Sequence, residues 1–285
     1  MSKENSMNQL SLEKRVQIIS LLVEGCSMRA TARLADVAFN SVKKLLVEVG
    51  PACQKFHDET VFNLKCQRIQ ADEIWAFVYA KQKNAGITGN PEAGDVWTWT
   101  AIDPDSKLII SWLVGKRDSE SANTFMIDVA SRISSNVQLT TDGLKKYIAA
   151  VEKAFDGFID YAQLVKLYGT SERDGKVDKR LQYIGADRTV ISGNPQREHI
   201  STSMVERQNL TMRMHMRRFT RKTNAFSKKL ENHNYAHAIY FVYYNFVKSH
   251  QTLRVTPAME AGLTDRLMEI EDMVKLTQKY APNSK

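Results

Sequence analysis

The sequence predicts an α/β protein, a mixed sheet laid down in the order βββαβαβα behind a small helical segment. Three observations carry this. Residues 12–49 repeat apolar side chains at helical spacing. Three runs rich in β-branched and aromatic residues then follow one another between residues 69 and 114. Beyond them, helical and strand-like runs alternate as far as residue 250.

The first helix places Leu12, Val16, Ile19 and Val23 on one stripe, and Gly25 stops it. A second, about 27–35, opens on Ser27 and carries Ala30, Ala32 and Ala35. A turn through Asp36-Val37-Ala38 leads to a third, capped by Asn40 or Ser41, with Val42, Leu45, Leu46 and Val49 inward. Two short helices joined by a tight turn and packed on a first describe a helix-turn-helix. The outward Asn40, Ser41, Lys43 and Lys44 would enter the major groove of DNA. A plain three-helix bundle for protein contacts is the rival reading. Gly50-Pro51 is expected to close this unit, giving a domain at 1–50 and a connector at 51–66.

Strands are expected at 69–79, 96–102 and 108–114, the last two joined by a turn through Asp103-Pro104-Asp105 and all three forming an antiparallel meander. Lys81 to Gly94 reads as a loop. An amphipathic helix follows from Ser119 to Ser134, with Ala122, Phe125, Met126, Val129 and Ile133 inward. Then come a short strand at 137–141, a helix at about 144–155 and a strand at 161–168. The polar stretch at about 169–200 reads as an insertion. Ser201 or Thr202 caps a long helix starting at Ser203, and residues 231–250 form a buried helix. The main domain would span 67–250, with a helical tail at 251–285.

Composition narrows the function. Of 285 residues, 43% are hydrophobic and 25% charged, as in ordinary globular proteins. No apolar run reaches the ~20 residues a membrane span needs. The polar N-terminus does not read as a signal peptide. Cys26, Cys53 and Cys66 form neither a disulfide framework nor a metal knuckle, so a reducing cytoplasm is expected. Between Arg207 and Lys229 stand eight cations and no acid, which equals the entire net charge of +8. Phe219 and Phe226 interleave with them. Such a block suits a polyanion, because neutralising phosphates releases condensed counterions; a solvated basic helix face is the plainer alternative.

Three carboxylates are locally odd. Asp72 interrupts an apolar strand, Asp142 sits at a strand tip before Gly143, and Glu206 falls early in a helix with basic residues after it. In this element order they could converge. Acids so placed repel unless a divalent cation lies among them, and carboxylate oxygens suit Mg²⁺ or Mn²⁺. Two such ions about 4 Å apart support in-line phosphodiester displacement. Strand alternation puts Glu73 on the face opposite Asp72, so only one of the two is expected at the metals. His233 and His237, spaced i and i+4, lack a third zinc ligand.

The stretches A-D-E-I-W (71–75), T-T-D-G (140–143), S-M-V-E-R-Q-N (203–209) and Y-N-F-V-K-S-H-Q-T-L-R-V-T-P (244–257) resemble those of bacterial insertion-sequence transposases of the DDE superfamily, insertion-sequence-one type. The resemblance runs from the helix-turn-helix to Pro257. It implies an RNase H-like fold, with Asp72, Asp142 and Glu206 as the catalytic, metal-binding triad holding two Mg²⁺ or Mn²⁺ ions. It favours Asp72 over Glu73. Arg213 matches a basic position that often contacts DNA near the active site, and Arg207, Arg217, Arg218, Arg221 and Lys222 join it as expected phosphate contacts. The implied partners are double-stranded DNA, as element ends and target, and further copies of the chain. Family members often carry an N-terminal zinc-binding Cys cluster; this chain lacks one, so end recognition would rest on the helix-turn-helix. A hydrolytic nuclease on the same fold and a catalytically inactive repressor are the rival functions.

Overall fold

The structure, a computed structural model, describes residues 10–173 and 176–280. Its elements run α1 (Leu12–Val23), α2 (Met28–Leu34), α3 (Phe39–Thr60), β1 (Arg68–Val78), α4 (Gln82–Thr88), β2 (Gly94–Ile102), β3 (Ile109–Gly115), α5 (Ser119–Ser131) and β4 (Gln138–Thr141). After these come α6 (Lys146–Phe155), β5 (Asp160–Arg173), β6 (Lys176–Ser192), α7 (Ser203–His215), α8 (Leu230–Val242), α9 (Pro257–Glu260) and α10 (Ile270–Lys279). The chain divides into two compact units. One takes Asn63–Ile74 and Trp97–Gln208; the other takes residues up to Phe62, Trp75–Val96 and everything from Asn209 onward.

The sheet has six strands in the order β3-β2-β1-β4-β5-β6. β2 and β3 are antiparallel, β4 pairs in parallel with β1 and with β5, and β6 returns antiparallel to β5. The mixed sheet is therefore as the periodicity implies, with one strand more than expected. The polar stretch read as an insertion instead continues β5 and supplies β6. Its alternation is masked because both faces of this ribbon carry polar and exposed residues, so no apolar face signals a strand.

Helices α5 and α6 cover one face of the sheet. Trp99, fully buried, packs its ring 6.0 Å from Phe125 of α5 and 5.4 Å from Tyr147 of α6. Ala122, Phe125, Met126 and Val129 are buried as the stripe on α5 requires, and α5 starts at Asp118, whose Oδ1 accepts the Ser121 N–H at 2.9 Å. Ile133 lies past the helix end and bridges to Leu64. The segment 81–94, expected as loop, contains the short helix α4.

In the other unit, Ser11 and Ser27 cap α1 and α2 through their hydroxyls. Ala38, not Asn40 or Ser41, occupies the cap position of α3, without a side-chain hydrogen bond. The buried stripe of α1 is Arg15, Ile18, Ile19 and Val23, so Leu12 is exposed and Arg15 turns inward. Arg15 is held there by Glu48 at 3.3 Å and Thr277 of α10 at 3.2 Å. Gly50-Pro51 does not end the third helix, which continues to Thr60. Tertiary packing overrides the local signal: a Cβ on Gly50 would lie 2.3 Å from the Tyr235 Cβ, so glycine is there for close approach to α8. No described helix is long and apolar enough to cross a membrane.

Candidate active site

Acidic side chains from separate segments meet where β4 ends beside the middle of β1. Ala71 pairs with Thr141 across β1 and β4, so the residues that follow them, Asp72 within β1 and Asp142 after β4, stand level. Asp142 lies just beyond β4, where its Oδ1 accepts the Leu144 N–H at 3.0 Å. Oxygens of Asp72, Glu73 and Asp142 all lie within 4.8 Å of one another.

Glu73 therefore joins this group, against the expectation that only one of the adjacent acids could. Asp142 is past its strand's end and is not confined to one face, so it can be approached from both sides of β1. Glu73 itself is buried and held: Arg117 Nε donates to it at 2.6 Å and the Tyr147 hydroxyl at 3.1 Å. Arg117 also approaches Asp142 at 3.8 Å and lies over the Trp97 ring, 4.8 Å from its centroid.

Glu206 stands slightly apart. Its Oε1 accepts the Thr202 hydroxyl at 2.7 Å and its Oε2 is paired with Lys166 of β5. It is near enough to act electrostatically on Asp72. Helix α7 is docked through Gln70, two residues before Asp72 on the same strand face. Gln70 Oε1 accepts the N–H groups of Met204 at 2.8 Å and Val205 at 3.2 Å, two donors that the first helical turn cannot satisfy itself.

The electrostatics follow from this crowding. Burial, then the negative charges of Glu73 and Asp142, push the Asp72 carboxyl up to about 7. Burial also raises Glu73, with Asp142 adding to the effect and Arg117 opposing it. Lys166 is raised: its partial burial acts to lower it, but the hydrogen bond and charge of Glu206 prevail. The donor set is all oxygen and carries more negative charge than its cations neutralise, which fits a hard divalent ion.

The basic residues sort into two groups. Asn40, Lys43 and Lys44 are exposed on α3, with Ser41 half-buried. Arg207, Arg217, Arg221 and Lys222 are exposed and Arg213 is half-buried. The helix ends at His215, so Arg217, Arg218, Arg221 and Lys222 do not extend a single basic helix. Arg218 differs from the expectation of a phosphate contact. Its guanidinium points inward, donating to the Asn232 carbonyl at 2.6 Å and the Ser227 hydroxyl at 3.1 Å, and burial lowers it to about 10. His233 and His237 are fully buried beside it, and burial holds both far below the usual imidazole range, His237 at about 3.

The model of the family described as IS1 transposase matches residues 182–247. The chain is similar to IS1 transposases. That similarity covers Glu206 and the cationic stretch and stops short of Asp72 and Asp142. Among solved structures, the pre-cleavage Mos1 transpososome is 12% identical with a TM-score of 0.21, over 55% of this chain and 60% of that one. The chain thus spans less than two thirds of the Mos1 chain. The piggyBac transposase synaptic complex with hairpin DNA is 9% identical with a TM-score of 0.37, over 99% of this chain and 77% of that one. No curated protein matches the chain.

Arg117, Tyr147, Lys166 and Gln70 surround the carboxylates but carried no signal in the sequence. Each lies in an ordinary polar or aromatic context; strand register brings Gln70 and Lys166 to the site, and the packing of α6 and of the loop after β3 brings Tyr147 and Arg117.

Proposed function

We propose that this chain is a metal-dependent DNA transposase that nicks the ends of its element and joins the freed 3′-hydroxyl to target DNA. The observation that carries the reading is the convergence of Asp72 and Asp142 with Glu73 inside 4.8 Å, in a chain whose residues 182–247, Glu206 among them, match the IS1 transposase family. Asp72, Asp142 and Glu206 would hold two Mg²⁺ or Mn²⁺ ions, with Glu206 exchanging Lys166 for metal. Bound there, such ions supply an activated oxygen nucleophile and stabilise the leaving oxygen. Glu73 keeps Arg117 in place beside Asp142. Arg207 and Arg213 on α7, with Arg217, Arg221 and Lys222 after it, would grip phosphates; Arg218 would brace that segment from inside. Residues 1–50 would act as the helix-turn-helix that binds the ends through Asn40, Ser41, Lys43 and Lys44, and residues 67–250 as the RNase H-like catalytic part. Two ends cut in concert require at least two copies.

The test uses a DNA fragment carrying element ends, with Mg²⁺. Asp142→Asn is expected to retain DNA affinity while cleavage falls by roughly 10²–10⁴-fold, the several kcal/mol that metal stabilisation supplies. Joining of a pre-cut 3′ end to a target plasmid then identifies a transposase. Cutting without joining would mean a nuclease, and DNA binding indifferent to Asp142 with no cutting would mean a repressor.

A further inference from the structure

Beyond the carboxylates, β5 and β6 continue as a two-stranded ribbon: only Asp160 to Gln163 of β5 pair with β4, whereas pairing with β6 runs on to Arg173. On this ribbon Leu164, Lys166 and Tyr168 share one face by alternation. Leu164 is buried with Ile200, Lys166 pairs with Glu206, and Tyr168 is near enough to Lys166 to act on its charge. That face is therefore the one that bears the candidate catalytic centre. Part-way along it Tyr168 and Tyr183 stand cross-strand, 55% and 60% exposed, with ring centroids 6.3 Å apart and planes at 74°.

Their meeting is built by an irregularity. Leu167 pairs with Gly185 but Tyr168 pairs with Tyr183, so Ile184 is the extra residue of a bulge. Bulges re-aim side chains; without this one Tyr168 would face Ile184. An edge-to-face pair leaves a ring face open to a third π-system. The cation next along the face, Lys166, has the charge to meet a phosphate. An aromatic platform beside a cation is the arrangement that holds an unpaired nucleotide: base on the ring, backbone on the ammonium. A duplex offers no such free base face.

We propose that Tyr168 and Tyr183 form a stacking subsite for an unpaired base of the DNA strand being processed, with Lys166 on the adjoining phosphate. From the level of Asp142 to Tyr168 is about 13 Å, four residues at roughly 3.3 Å each, so the stacked base lies within a few nucleotides of the reacting phosphate. The inference rests on the transposase reading and specifies which part of the substrate the site grips.

The experiment compares a blunt duplex with the same duplex bearing a short unpaired tail that contains 2-aminopurine. Ca²⁺ replaces Mg²⁺ to prevent turnover. Wild-type protein is expected to bind the tailed duplex more tightly and to quench the 2-aminopurine. Tyr168→Leu with Tyr183→Leu is expected to abolish quenching and weaken tailed-duplex binding by about 10-fold or more, leaving blunt-duplex binding unchanged. Tyr168→Phe with Tyr183→Phe is expected to retain both. Blunt-duplex affinity reports that each variant is folded. Equal behaviour of wild-type and Leu variants on the tailed duplex would overturn the inference alone. So would a loss of self-association in the Leu variants without loss of quenching, which would assign the tyrosines to a second copy of the chain. Failure of the wild-type protein to bind either DNA would overturn the transposase reading as well.

Discussion

Asp72 and Asp142 stand level on parallel neighbouring strands because Ala71 and Thr141 are paired partners. The closeness of the two acids is thus imposed by sheet register rather than by attraction, and the folded chain holds negative charges together that would otherwise separate.

That geometry has a pH signature. The Asp72 carboxyl rises from an ordinary value of 3.8 to about 7. Between those values the folded metal-free protein holds a proton that the unfolded chain has released. Stability of the metal-free protein should therefore fall as pH rises from about 4 to 7 and be lowest above that window. Mg²⁺, binding the ionised form, should raise the melting temperature more at pH 8 than at pH 5. Thermal melts in EDTA and in Mg²⁺ check both; Asp72→Asn should flatten the difference, and an unchanged profile in that variant would refute the assignment.

Gln70→Ala should cost about 1 kcal/mol, the typical loss when a helix N-terminus loses its side-chain acceptor. Two α7 N–H groups would be left without the buried amide oxygen they now share. The accompanying drop in melting temperature is about 2–4 °C for a chain of this size class. Because α7 carries Glu206, cleavage should fall more than stability alone explains, measured at a temperature where the variant is fully folded.

Arg218 and the α3 lysines should separate cleanly. Lys43→Ala with Lys44→Ala should leave the melting temperature unchanged and lower the salt dependence of DNA binding by up to about 1.8 log units per log salt, two phosphates at 0.9 each. Arg218→Met should do the reverse. It removes the buried hydrogen bonds to the Asn232 carbonyl and the Ser227 hydroxyl, the latter still paired with His233, costing about 1–3 kcal/mol by denaturant titration, with an unchanged salt slope.

Gly50→Ala should destabilise by about 1–3 kcal/mol in spite of alanine's better helix propensity, because its methyl would meet Tyr235. Pairing it with Tyr235→Ala should recover little of the loss, since the nearest overlapping atom, the Tyr235 Cβ, and the Cα behind it remain in alanine. Denaturant melts of the single and double variants measure the coupling.

Much of the fold could be read in advance where a periodic apolar stripe coincides with burial, as for Ala122, Phe125, Met126 and Val129 on α5. The antiparallel pairing of β2 with β3 and the position of Asp142 at a strand tip were legible too. What escaped was long-range. Pro51 reads as a stop and is carried inside a 22-residue helix. Leu12 reads as core and is exposed, while Arg15 turns inward toward a helix more than 250 positions later. Alternation puts Glu73 on the far face from Asp72, a rule that holds for residues within strands and lapses for Asp142 beyond one. Arg117 lies in a loop, where no period predicts what its side chain will meet.

The partition of the chain bears on how the protein can be made. Translation supplies residues up to Phe62 to one unit, then Asn63–Ile74 to the other, then switches again at Trp75, Trp97 and Asn209. Neither unit can be completed before synthesis of the other is well advanced, and no single uninterrupted fragment contains one of them alone. The unit of the carboxylates is complete only once Gln208 has been made, and an expressed piece such as 63–208 would carry residues 75–96, which belong to the other unit, between its two segments.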